Sequence, residues 1–94
     1  MKNNFNLIKQ IMGNSTLPKW HKWILVSLVC YWSNLNTIET KIPFNQCVFR
    51  STYNLRPEVF NRGMNEFQRK GYIDWDNINN VLELKFIVAY YGRN

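Results

Sequence analysis

The stretch LRPEVFNRGMNEFQRKGYI, residues 55–73, leaves the backbone few choices. Pro57 has a fixed φ and no amide hydrogen, so it suits the first turn of a helix and not its interior. Beyond it, Phe60, Gly63, Met64 and Phe67 recur at i, i+3, i+4 and i+7, one face of an α-helix. Gly71 supplies the stop. The pattern predicts a helix over 57–70 with that stripe turned inward. Gly63 costs about 1 kcal/mol against Ala in a helix interior; its place on the stripe implies close approach of another helix. Glu58, Arg62, Asn65, Glu66 and Arg69 project away, with Asn61 and Gln68 at the margin.

The rest of the chain is arranged around this helix. Residues 1–16 read as an N-terminal arm or short helix carrying Phe5, Ile8 and Met12, with Leu7 and Ile11 beside them; GNST (13–16) breaks it. Pro18, with Ser15 or Thr16 as a nearby cap, opens a helix over 18–33. Trp20, Ile24, Leu28 and Tyr31 share one face, while Trp23, Val26, Val29, Cys30 and Trp32 make the others apolar. A helix apolar nearly all round needs cover nearly all round. SNLN (33–36) ends it, since Asn tolerates the left-handed turn. Residues 37–43 read as loop with room for a short strand. A helix over 44–53 is expected to turn Phe44, Cys47, Val48 and Ser51 inward, with Asn54 and Leu55 forming the turn. Then YIDWD (72–76) and VLELKFIVAYY (81–91) alternate as strands, the second in its first half, joined by NINN (77–80) as a hairpin connection. The expected core is Trp23 or Ile24, Leu28, Phe44, Val48, Phe60, Met64, Phe67 and Ile73.

Composition narrows the class. Ninety-four residues make one domain, and 46% apolar content argues against disorder. A net charge of +6 and a pI of about 9.6 favour an anionic partner, nucleic acid or an acidic protein surface. Lys2, Lys9, Lys19 and Lys22 are unopposed by any acid in residues 1–38. Cys30 and Cys47 read as buried free thiols. With one His and no CxxC, no zinc site is expected, and no cofactor. There is no Gly-rich phosphate loop and no nucleophile with a base, so the chain does not read as an enzyme. The longest apolar run, 23–32, is about half a membrane span. Residues 1–15 are too polar for a signal peptide. The expected setting is cytoplasmic, in the host cell if the protein is viral, with no membrane partner. Fourteen asparagines hint at an AT-rich genome of the kind common in plasmids and viruses.

Three helices followed by a hairpin form an α+β pattern, mostly helical. Leu55, Phe60, Met64, Phe67, Gly71, Tyr72 and Ile73 occupy positions typical of a third helix and its exit. The chain thereby resembles the winged helix-turn-helix superfamily, in particular domains of plasmid and phage replication or regulatory proteins; LPK (17–19), SNLN and Pro43 fit the same group. The resemblance covers about residues 17–90 and implies a winged-helix domain over 17–94. It further implies sequence-specific binding of double-stranded DNA, in transcription regulation or replication initiation of a plasmid or virus. Helix 57–70 would enter the major groove, and the hairpin would lie over the backbone or minor groove. Arg56, Asn61, Arg62 and Asn65 would read bases, Arg pairing with guanine and Asn with adenine. Arg69, Arg50 and Lys41 would contact phosphates.

Other readings stand beside this one. The hairpin carries Asp74, Asp76 and Glu83 with only Lys85 to offset them, which suits a protein-interaction module as well as a DNA reader. Tyr90 and Tyr91 could stack on single-stranded bases. Arg62 could instead pair with Glu58 or Glu66, each four positions away. Trp20 and Trp23 read as core before stacking platforms, His21 as a surface histidine, and Trp75 as inward-pointing. The apolar N-terminal segment and the uncovered side of helix 18–33 suggest a homodimer, which would imply a roughly palindromic DNA site.

Overall fold

The structure, a computed structural model, describes residues 4–92. Lys2, counted above in the basic N-terminal half, and the last two residues lie outside them. Among the described residues there are five helices and one three-stranded antiparallel sheet, an α+β architecture. The chain divides into two compact units, Met1–Thr37 and Ile38–Asn94.

The first unit is a helical hairpin of α1 (Phe5–Met12) and α2 (Lys19–Asn34). Its helices run antiparallel. At one end the Asn4 side-chain amide donates to the Ser33 hydroxyl; at the other, Lys22 Nζ donates to the Met12 carbonyl at 3.1 Å. Leu7 and Ile11 of α1 are buried, as are Ile24, Leu25, Leu28, Val29 and Trp32 of α2. The expected all-round burial of α2 does not hold. Trp20 is 56% and Trp23 44% exposed, so neither is core, and Cys30 is only half-buried. Both indoles lie in the first turns of α2, beside the end of α1, so α1 leaves them open. Neither Ser15 nor Thr16 caps α2. Pro18 holds the cap position without a side-chain bond, and Thr16 donates both its amide and its hydroxyl to Asn14 Oδ1. Asn36, at φ 56°, ends the helix in the left-handed region, as its residue type allows.

The second unit begins with β1 (Lys41–Pro43) and α3 (Gln46–Thr52), followed by α4 (Pro57–Arg69). Strands β2 (Asp74–Asp76) and β3 (Val81–Glu83) come next, and α5 (Lys85–Tyr91) closes it. The sheet order is β1-β3-β2, with Ile42 opposite Leu82 and Trp75 opposite Leu82. The loop before α3 thus contributes a strand to the hairpin. Ile42, Phe44, Phe49, Leu55, Phe60, Met64, Phe67, Ile73, Leu82, Leu84 and Ile87 are buried. Three aromatic rings make the centre: Phe44 lies 5.1 Å from Phe49 and 6.2 Å from Phe60.

Two expectations fail in this unit. Helix α3 starts two residues late, because the Asn45 side chain caps it by accepting from the amides of Cys47 and Val48. That start turns Phe49 inward and leaves Val48 56% exposed and Cys47 exposed. The strand expected over 81–91 ends at Glu83. Residues 85–91 are helical, and the Leu84 amide donates to the Thr40 carbonyl where the ladder stops.

Helix α4 matches its expectation, with Phe60, Gly63, Met64 and Phe67 buried. Gly71 ends it at φ 77°. Its amide donates to the Gln68 carbonyl and that of Tyr72 to the Phe67 carbonyl, the paired bonds of a Schellman turn; the Phe67 and Tyr72 rings stack at 6.2 Å. A Cβ at Gly71 would meet nothing within 4 Å. Gly71→Ala is therefore expected to cost about 1–2 kcal/mol through the left-handed backbone alone. Chemical denaturation measures it, and a loss near zero would show that the turn relaxes.

Candidate nucleic-acid interface

The outward face of α4 is set by its inward one. With Phe60, Met64 and Phe67 at 0% exposure, the helix has no rotational freedom, and Asn61, Arg62 and Asn65 must face solvent. Arg56, the residue before Pro57, is also exposed at the N-terminal end. Among the described residues, none of these four side chains is held by a hydrogen bond or an ion pair. Neither Glu58 nor Glu66 pairs with Arg62. The structure therefore gathers Arg56, Asn61, Arg62 and Asn65 on one helix, with donors available to a ligand.

Arg69 stands differently. Its Nε donates to Glu66 Oε1 at 3.0 Å and its Nη2 to Oε2 at 2.6 Å, a two-pronged pair within one helical turn. Lys70 Nζ lies 3.6 Å from the same carboxylate. The Arg69 hydrogen bond holds the Glu66 carboxyl below its ordinary pKa, and Glu66 in turn raises that of Arg69. A guanidinium so engaged must give up Glu66 before it can take a phosphate. Arg50 on α3 is half-buried, with Nη2 3.7 Å from Cys47 Sγ and a buried Nε that has no partner. Lys41 is exposed on β1, opposite Glu83. The seven residues thus separate into a free group on α4, a neutralised Arg69, and two cations on other elements.

The acidic hairpin also resolves into parts. Asp76 serves the turn: its Oδ1 accepts from the amides of Ile78 (3.1 Å) and Asn79 (3.0 Å), and its Oδ2 from the Asn79 side chain (2.8 Å). These bonds, the Asn79 side chain first, hold its carboxyl below the usual range, with Lys41 adding a smaller pull. The signal for this was present in the spacing Asp76–Asn77–Ile78–Asn79, an Asx turn. Asn80, at φ 57°, completes the connection. Gln46 of α3 donates to Asn77 Oδ1 at 2.9 Å and ties the hairpin to that helix. Asp74 lies opposite Glu83, so two carboxylates adjoin on the open face of the sheet. Trp75 points to the other face, edge-on to Phe60 at 5.5 Å and to Phe44 at 6.4 Å.

Tyr90 and Tyr91, expected on a strand, lie on α5, half-buried and edge to face at 5.0 Å. Burial raises the Tyr91 hydroxyl's pKa. Their mutual contact leaves no parallel pair of ring faces for successive bases. Among the described residues, no helix is long and apolar enough to cross a membrane. Comparison of the chain with models of known families, with curated proteins and with solved structures finds no match.

Proposed function

We propose that this protein is a winged helix-turn-helix DNA-binding protein that places α4 in the major groove of double-stranded DNA, in transcription regulation or replication initiation of a plasmid or virus. The observation that carries this reading is the free group Arg56, Asn61, Arg62 and Asn65 on a helix whose opposite face is locked in the core. Arg can hold guanine, and Asn adenine, through two hydrogen bonds each, and only unpaired side chains can do so without first breaking a bond. The chain order supports it: helix, strand, helix, helix, hairpin, with β1 joined to the hairpin, as in a winged helix. Lys41 and Arg50 are the phosphate contacts of this reading, and Arg69 becomes one only when Glu66 lets go. Lys41 is the sheet's approach to phosphate, and Glu83 and Asp74 in the same cross-strand row weaken that approach by like charge.

The test is binding to random duplex DNA across a salt series. Each phosphate neutralised contributes about −0.9 to the slope of log affinity against log salt. Glu66→Gln is the informative variant. It removes the charge that holds Arg69, so the slope should steepen by about one and duplex affinity should rise several-fold. Salt-indifferent binding, or none, would overturn the reading. A protein-interaction role is favoured by one observation, the 91% exposed Ile78 at the tip of an acidic hairpin. Under that reading the Glu66→Gln variant changes nothing.

A further inference from the structure

The first unit holds a surface that the α4 reading does not use. Met12, Lys19, Trp20, Lys22 and Trp23 line a groove of about 360 Å³ beside the start of α2. Its walls are two indoles and a thioether, and its charges are ammonium groups. Residues 1–38 contain no acid, so nothing in that part of the sequence balances Lys9, Lys19 and Lys22. The lysines of the first turn also sit where the helix dipole already places positive charge, without an acidic residue there. Charge complementarity therefore favours an anionic occupant.

The sequence Lys19–Trp20–His21–Lys22–Trp23 repeats a lysine followed by a tryptophan after three residues. On a helix, the repeat is a rise of about 4.5 Å, with about 5–6 Å between the Cβ atoms. A polynucleotide strand is likewise a repeat of one anion and one flat ring. In a duplex strand that repeat is about 3.4 Å, and an unstacked strand stretches beyond it towards the helix spacing. We propose that this groove binds single-stranded nucleic acid, with Trp20 and Trp23 stacking on two neighbouring bases, Lys19 facing one phosphate and Lys22 facing the next with the donors it does not give to the Met12 carbonyl. Stacking of this kind tolerates any sequence, since every base has a ring face. A symmetric contact of this face with its copy would set lysine against lysine. A bilayer fits less well, because the apolar side of α1, Leu7 and Ile11, is turned inward and the Lys9 ammonium stands 5.6 Å from the centre of the exposed Phe5 ring.

The site lies on different residues from α4 and does not rest on the duplex reading. The test uses the full chain and a labelled oligo-dT of about ten nucleotides, within the usual site sizes. Binding is read by anisotropy and by quenching of tryptophan emission. Trp32 is buried and Trp75 half-buried, so quenching reports mainly on Trp20 and Trp23. Trp20→Ala and Trp23→Ala should each weaken binding about tenfold, while Trp20→Phe keeps most of the affinity. Lys19→Ala should flatten the salt slope by about 0.7. Val88→Ala, at an exposed position on α5 outside both surfaces, should quench as the parent does. Circular dichroism confirms that each variant is folded. The proposal is overturned if the Trp20→Ala/Trp23→Ala double variant binds oligo-dT as tightly as the parent. It is equally overturned if the parent binds phosphatidylserine vesicles or an acidic peptide but not oligo-dT, or if the tryptophan changes only dissociate a homodimer in sedimentation.

Discussion

Phe67→Ala should lose about 3–5 kcal/mol of stability, the cost of removing a buried aromatic ring and leaving a cavity. Phe67 is fully buried on α4, and its ring stacks on Tyr72 across the turn that ends the helix. Truncation therefore opens the core and loosens the helix exit together. Domains of this kind hold only about 5–15 kcal/mol in total, so the variant should stand near the edge of folding. Urea denaturation followed by circular dichroism measures it: the midpoint falls while the slope stays constant. Val48→Ala provides the contrast. Val48 is 56% exposed, so its loss should stay within about 0.5 kcal/mol. Equal losses at the two positions would mean that α3 is turned the other way.

The largest binding effect is expected from the Arg56→Ala/Arg62→Ala double variant. Both side chains are exposed, and among the described residues neither has an ion-pair partner, so removing them takes nothing from the fold. A direct base contact is worth about 1–3 kcal/mol of discrimination. On a duplex selected from a random pool, the double variant should lose about 30-fold to 20,000-fold in affinity for two such contacts, most of it specific. Arg69→Ala should do less, since Glu66 already occupies that guanidinium. If the double variant keeps the parent's preference for the selected duplex, α4 does not read bases, and the exposed Arg and Asn side chains are a solvated face.

Much of the second unit was legible in its residues. Pro57, the Phe60–Gly63–Met64–Phe67 stripe and Gly71 determined where α4 begins, which face it buries and how it ends. Asn36 and Asn54 were readable as helix exits because few other residues enter the left-handed region at low cost. These are local properties, decided by backbone sterics and by periodicity within a dozen residues.

Tertiary structure decided the rest. Phe86, Ile87, Val88, Tyr90 and Tyr91 favour strands by type, yet they are helical. The partner strands are only three residues long, so past Glu83 the backbone has no ladder left to join and must satisfy its amides within a helix. Which of two adjacent residues α3 buries, Val48 or Phe49, turned on where Asn45 capped it. Whether Trp20 and Trp23 were core depended on how far α1 reaches along α2, which no periodicity in α2 itself can report. At the candidate site the sequence alone determined which cations and amides stand on α4. Only the folded chain decided that Arg62 is free and Arg69 is not, because several carboxylates lie within reach in sequence and side-chain geometry selects one pair.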